Sequence, residues 1–338
     1  MKHATIPVFV PHLACPNDCV FCNQKKIAGI EKPIDNVHEY IQNSLKDISS
    51  KFSEVDIAFF GGSFTGIERS EMERYLSYAK DFLENGNIIT GIRLSTRPDY
   101  INYEILDVLK SYGVTAIELG AQSFCDDVLS LSKRGHASET TKEASRIIKE
   151  YGFELVLQLM PGLPGDTRET ILHTAETACR LNPDGVRIYP CVVIKDTELE
   201  QEYLNGKFIP LSVDKAVSIC ADLTLKFKES NIKILRTGLH SSDLVQNQGV
   251  VAGPFHPAFG ELVTQKIYLD KIDRLLSKLD LTGKPKCVLS VSIGCISKVI
   301  GQNKKNIKVL EEKYKLSFKI IESEHLSKDN YEIDITLE

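Results

Sequence analysis

The amino-acid sequence predicts an α/β protein: a partial (β/α)6 barrel of the TIM type, followed by a small α+β domain. Two observations carry this. Short apolar runs alternate with amphipathic stretches between residues 6 and 190, as parallel strands with outer helices require. After residue 260 the texture changes to one long amphipathic helix, a turn and a compact strand–helix–helix–strand pattern. A chain of 338 residues holds one large domain and one small one, with a substantial core.

The strands are taken first. IPVFVP (6–11), VDIAFFGG (55–62), GIRLST (91–96), AIELGAQS (116–123), FELVLQLMPG (153–162) and GVRIYP (185–190) are rich in Val, Ile, Leu and Phe. Most end in Gly, Pro, Ser or Thr, where a buried strand stops. Between them, NYEILDVLKSYG (102–113), SETTKEASRIIKEYG (138–152) and TRETILHTAETACRLNP (167–183) have helical spacing, the second opened by Ser138 as a cap and closed by Gly152. Six strand–helix units fall short of the eight of a closed barrel. Polar and Gly-rich segments cluster just after the strands, at the C-terminal rim where such barrels place their chemistry.

The predicted domains are residues 1–262, including a Gly- and aromatic-rich loop over 238–262 that faces the substrate, a linking helix over 263–282, and a terminal domain over 283–338. In the terminal domain, strands are expected over 287–293, 316–322 and 331–337, with the second of two helices over 304–314.

Composition narrows the function. Apolar residues make up 42% and charged residues 26%, an ordinary globular balance. A net charge of -5 excludes a wholly basic nucleic-acid binder but not a local basic patch. No apolar run has the length of a membrane span, and the first residues lack the pattern of a signal peptide. Nine cysteines, three clustered and six scattered singly, do not look like a disulfide framework. The expected setting is a reducing cytoplasm.

The cluster is ACPNDCVFCNQ (14–24), with Cys15, Cys19 and Cys22 inside eight positions. Iron–sulfur clusters are held by thiolates at characteristic spacings. Three protein ligands would leave one iron open to a small molecule. The spacing alone also admits a zinc site completed by a distant His, or three free thiols.

The Cys-x3-Cys-x2-Cys spacing, with Phe21 before the third cysteine and the loop following the first strand, resembles the radical S-adenosylmethionine superfamily. AFFGGSFTG, STRPDY, ELGAQSFCDDVL, KRGH, MPGLPGDT and RIYPCVVIKDTEL follow in order. Over about residues 5 to 205 these are similar to the radical domain of the Elongator catalytic subunit, and more distantly to oxygen-independent coproporphyrinogen oxidase. The resemblance implies a [4Fe–4S] cluster on Cys15, Cys19 and Cys22 and S-adenosylmethionine at the open iron. Reductive cleavage would then give a 5′-deoxyadenosyl radical.

For the cofactor it implies backbone contacts at Gly61 and Gly62 and hydroxyls from Ser63 and Thr65. It also implies a methionine-side wall at Ser95 and Arg97, and a carboxylate partner in Arg134, whose fork suits a carboxylate. His136 stands beside that arginine in the sequence. Gln122 and Gln158 sit inside apolar strands, where a buried amide needs partners, and Pro161 belongs to a rigid turn expected near adenine. Tyr189, Lys195, His240 and His256 are the catalytic or substrate-facing candidates. Cys125, Cys179, Cys191, Cys220, Cys287 and Cys295 form no second cluster motif, which disfavours methylthiotransferases. No acetyltransferase domain is expected after the radical domain, so the acetyl-dependent chemistry of Elongator is not carried over.

The segment SKVIGQNKKNIKVLEEKYKLSFKIIE resembles a KH domain, whose Gly-x-x-Gly loop joins two helices and clamps a nucleic-acid backbone. Gly301, Gln302, Asn303 and Lys304 occupy that loop, with Lys304 in place of the second glycine. Lys298 and Lys305 flank it, in a stretch (298–319) with seven lysines against two glutamates. The expected partners are tRNA or rRNA and an electron donor such as flavodoxin or ferredoxin. The resulting expectation is a radical enzyme that modifies an RNA base. The alternative is radical chemistry on a small molecule such as a tetrapyrrole, with a structural C-terminal domain.

Overall fold

The computed structural model describes residues 3–10, 15, 19–23, 34, 36–48, 51–85, 88–239, 249–328 and 330–338. They fall into two compact units. The first comprises residues 1–213 and 226–255, and the second residues 214–225 and 256–338.

The first unit is built on one parallel sheet. Its strands are β1 (His3–Val10), β2 (Glu54–Gly61), β3 (Ile89–Thr96), β4 (Val114–Gln122), β5 (Glu154–Leu159), β6 (Gly185–Ile188) and β8 (Lys233–Thr237), in that order across the sheet. They form a half-barrel. β8 is a seventh strand beyond the six expected. Its sequence KILRT is short and only half-buried, as suits an edge strand, so no continuous apolar run marks it. Along β3 and β5 successive side chains take opposite faces. Ile92 and Leu94 of β3, and Leu155 and Leu157 of β5, are fully buried against the helices. Their neighbours Arg93, Ser95, Glu154 and Gln158 stand on the opposite face.

The helices α1 (Val37–Ile48), α2 (Arg69–Glu84), α3 (Tyr103–Ser111), α4 (Asp126–Leu131), α5 (Ser138–Glu150) and α6 (Arg168–Leu181) connect the strands. Local chemistry sets their ends. The Asn102 side chain accepts the Ile105 N–H at 2.9 Å to start α3. Thr167 and Thr170 form a reciprocal capping box at α6, and Asn182 closes that helix in the left-handed region. Ser138 is the first residue of α5 rather than its cap, and its N–H donates to Asp126 Oδ1 at 2.7 Å. Helices α7 (Glu198–Leu204) and α8 (Val213–Glu229) follow, and β7 (Val193–Ile194) pairs antiparallel with β9 (Val250–Ala252).

The concave face carries a buried charge network. Glu118 is fully buried and accepts from four donors. These are Arg93 Nη1 at 3.2 Å, Arg187 Nε and Nη2 at 2.8 and 3.0 Å, and Gln158 Nε2 at 3.2 Å. Arg93 also donates to Asp56 at 3.0 Å and to Glu154 at 3.4 Å. The network laces β2 through β6 together across the half-barrel.

In the second unit, α9 (Phe259–Leu276) is followed by β10 (Lys286–Ser292), α10 (Ile296–Ile300), α11 (Lys305–Tyr314), β11 (Ser317–Ser323) and β12 (Ile333–Leu337). The sheet order is β11-β10-β12, with β10 parallel to β11 and antiparallel to β12. Tyr268, Ile272 and Leu276 of α9 pack with Leu289, Val291, Val299 and Leu310. The helix expected to link two domains therefore contributes to the core of the second. Among the described residues no helix is long and apolar enough to cross a membrane.

Removing Glu118 would leave two buried guanidinium groups without their shared carboxylate. Glu118→Ala is expected to cost about 3–5 kcal/mol, the usual penalty for breaking a buried charge pair from one side. Urea unfolding followed by circular dichroism measures it. A loss under 1 kcal/mol, an exposed-pair value, would contradict this reading of the network.

Candidate active site

The site is built where the strands of the half-barrel end. β1 stops at Val10, and the cysteine loop follows. Cys19 is buried, at 7% exposure, while Cys15 and Cys22 are half-buried. The loop is pinned from both sides. The Val20 N–H donates to the Ser132 carbonyl at 3.3 Å, the Leu199 N–H donates to the Val20 carbonyl at 2.8 Å, and the Cys22 N–H closes a turn on Cys19 at 2.9 Å. Val20 and Phe21 pack into an apolar cluster with Val128, Leu163, Val193 and Leu199. Phe21 thus anchors the loop by burial, and Cys191 lies in the same cluster.

The end of β2 meets the loop. Gly61 has φ +117, and a Cβ there would stand 2.8 Å from the Val10 carbonyl oxygen. Only glycine lets these two strand ends close together. Gly62 follows, buried. The Ser63 N–H reaches the Cys15 thiol, whose pKa is pushed up by burial and held back by that N–H and by the nearby Arg97 and Arg134 cations.

The hydroxyls at this rim are already engaged. Ser63 and Thr65 each bond the Thr96 hydroxyl, at 2.9 and 2.6 Å, and Thr65 donates to the Tyr100 carbonyl at 3.1 Å. Ser63 Oγ also accepts the Arg97 N–H at 2.9 Å. They tie the end of β2 to the end of β3.

Arg134 lies at the centre. Its Nη1 donates to Cys19 Sγ at 3.3 Å and its Nη2 to the Gly120 carbonyl at 2.6 Å. Gln122 has φ +65 at the irregularity between β4 and β5, is buried, and its Oε1 has no partner among the described residues. Gln158 turns into the concave face instead, to Glu118 and to Ser95 Oγ at 3.3 Å. Pro161 is buried and its carbonyl accepts the Cys191 N–H at 2.9 Å. Tyr189 ends β6 half-buried beside Arg187, and burial pushes its phenol pKa up. Lys195 is exposed.

Two further candidates are His240 and His256. His240 lies outside the described residues. His256 belongs to the second unit, where its Nδ1 accepts the Ala258 N–H at 3.0 Å. Gln122 and Gln158 are marked in the sequence as amides inside apolar strands, and Glu118, Arg93 and Arg187 lie in such strands too. Their signal was present, as one charged residue in the middle of each of several apolar strands.

In the second unit, Gly301 has φ +77, and a Cβ there would stand 2.9 Å from Asn306 Cγ. The Gln302 N–H donates to Gln265 Oε1 at 3.0 Å. Asn303 and Lys304 follow with φ +52 and +61. Lys304 thus holds the left-handed backbone that glycine adopts freely, at a cost of about 1–2 kcal/mol. Gln302, Asn303, Lys304 and Lys305 are exposed, Lys298 is half-buried, and Lys305 pairs with Asp214 at 3.1 Å.

The three thiols, the Arg134 and Arg97 cations beside them, and unpartnered buried polar atoms on Gln122 and Arg97 suit a cluster and a polar ligand held at the barrel rim. Among the described residues no group of three His, Cys, Asp or Glu side chains is placed to hold a single metal ion. Thiolates of an iron–sulfur cubane bind separate irons.

Fold and site together define an iron–sulfur radical enzyme. The radical SAM superfamily model matches residues 9–178 and the radical SAM C-terminal domain model residues 183–268, and the chain belongs to this superfamily. Its cofactors are a [4Fe–4S] cluster and S-adenosylmethionine. The chain is 26% identical over 256 residues to the tRNA uridine(34) acetyltransferase of Methanocaldococcus infernus, covering 64% of this chain and 48% of that one. It is 29% identical over 197 residues to Elongator complex protein 3 of Saccharomyces cerevisiae, covering 52% and 35%. The solved structure of an N-terminally truncated Elp3 from Methanocaldococcus infernus superposes with a TM-score of 0.63 at 23% identity, over 80% of this chain and 63% of that one. The chain spans about half the length, or less, of these two sequence relatives.

His136, beside Arg134, supplies a test of the site's electrostatics. Burial and then the Arg134 cation push its pKa down to about 4, against about 6.5 for an unfolded histidine. Between these values the unfolded chain binds more protons, so stability falls as pH drops from about 6.5 to 4. His136→Asn should flatten that part of the stability–pH profile in thermal unfolding. An unchanged slope would contradict a half-buried imidazole held neutral beside Arg134.

Proposed function

We propose that this chain modifies a base in tRNA by radical chemistry. The observation that carries the proposal is family membership combined with relatives named for acetylating uridine 34 of tRNA. Cys15, Cys19 and Cys22 hold the cluster. Arg134 and the backbone at Gly61 and Gly62 receive the amino-acid end of S-adenosylmethionine, and Gln122 and Pro161 border its nucleoside. When bound, this cofactor pair supplies a carbon radical that abstracts a hydrogen atom.

The chain's own residues shape the site for that chemistry. The apolar packing around Val20 and Phe21 shields Cys19 from water. The Glu118 network holds Gln158 and Arg187 in fixed positions below the rim. Tyr189 and Lys195 border the substrate. The Gly301–Lys304 loop, with Lys298 and Lys305, contacts the RNA backbone, and its exposed lysines suit phosphate. A flavodoxin- or ferredoxin-type protein delivers the electron.

The test is nucleoside mass spectrometry of tRNA and rRNA from a deletion strain complemented with variants. One modified nucleoside should disappear from tRNA on deletion and return with the wild type. It should stay absent with Cys19→Ala and fall several-fold with Lys304→Glu plus Lys305→Glu. An unchanged tRNA nucleoside profile on deletion would contradict the proposal.

A further inference from the structure

Arg97 follows β3 and is only 4% exposed. Its guanidinium is clamped. Nε and Nη2 donate to the two carboxylate oxygens of Asp99, each at 2.9 Å, and Nη2 also reaches the Arg134 carbonyl. Such a bidentate fork fixes both position and orientation. The third nitrogen, Nη1, is buried and has no partner among the described residues. Leaving a charged donor unsatisfied in the interior costs more than leaving a neutral one so.

The surroundings say where that donor belongs. Arg97 holds two neighbours that each touch a cluster cysteine. Its N–H bonds Ser63 Oγ, and the N–H of Ser63 itself reaches the Cys15 thiol. Its Nη2 holds the carbonyl of Arg134, whose own Nη1 lies 3.3 Å from Cys19 Sγ. Cys15 and Cys19 are both electrostatic neighbours of the Arg97 cation. Asp99 fixes the fork and leaves Nη1 as its free donor.

We infer that Arg97 sets the reduction potential of the cluster, through a charge-assisted hydrogen bond from Nη1 to cluster sulfur. Potentials of iron–sulfur clusters respond to net charge and to hydrogen bonds on their sulfurs. One electron added to an anionic cluster is stabilised by a fixed cation more than the oxidised state is, so Arg97 makes reduction easier. Arg97 is then a cluster-tuning residue and not the partner of the cofactor carboxylate. The inference rests on family membership and not on the RNA substrate.

The experiment is a redox titration of the anaerobically reconstituted full chain, followed by electron paramagnetic resonance, first without and then with S-adenosylmethionine. Iron and sulfide contents are matched among variants. In Arg97→Gln the ratio of reduced to oxidised cluster at a fixed potential should fall about tenfold, a midpoint about 59 mV more negative for a one-electron couple. Arg97→Lys, which keeps the charge and loses the fork, should fall between. Asp99→Asn removes an anion beside the same cation and should shift the midpoint upward. If Arg97→Gln does not retain a cluster, the Asp99→Asn shift decides. An unchanged midpoint in Arg97→Gln overturns the inference, as does a shift seen only with S-adenosylmethionine present. An unchanged or lowered midpoint in Asp99→Asn also overturns it.

Discussion

The site depends on Arg134. One guanidinium joins the carbonyl of Gly120, in β4, to the thiol of Cys19, in a loop that follows β1. These segments are far apart in the chain and adjacent only because the parallel sheet curls. The cysteine loop is also held by its apolar packing, by backbone hydrogen bonds at Val20 and Leu199, by the Ser63 N–H on Cys15 and by the Asn23 amide on the carbonyls of Lys195 and Asp196. Packing fixes depth well and orientation poorly. A charge-assisted hydrogen bond onto sulfur fixes orientation as well.

Around this tie the molecule divides its polar work in two. On the concave face, charges satisfy one another: Asp56, Arg93, Glu118 and Arg187 alternate in sign across the strands. At the rim the polar groups are left incomplete, with Arg97 Nη1 and Gln122 Oε1 lacking partners among the described residues. Closed networks stabilise and rigidify. Incomplete ones have a ligand's chemistry still to receive. The boundary between the two falls within single strands: Ser95 joins the network and Thr96 joins the rim.

How much of this was legible in the sequence follows from range. The three-cysteine loop was legible because its cysteines lie within eight positions and their spacing is local. The first six strands were legible because a buried parallel strand is a near-continuous apolar run. β8 was not, because an edge strand needs no such run. The Glu118 network was not, because its partners lie on different strands and only sheet register brings them together. Ser63 and Thr65 were legible as polar residues at a strand end. Their engagement with Thr96 depends on how closely β2 and β3 end. In the second unit, Lys304 looked like a departure from a glycine-bearing loop, yet its backbone keeps the conformation glycine would take.

The central claim is that three cysteines hold a four-iron cluster whose remaining iron receives S-adenosylmethionine. Mössbauer spectroscopy of the reconstituted full chain, recorded with and without S-adenosylmethionine, tests it most directly. One iron subsite should change its coordination environment on addition while the other three stay constant. A spectrum in which no subsite changes, or in which the cluster is equally well formed after Cys22→Ala, would contradict the account.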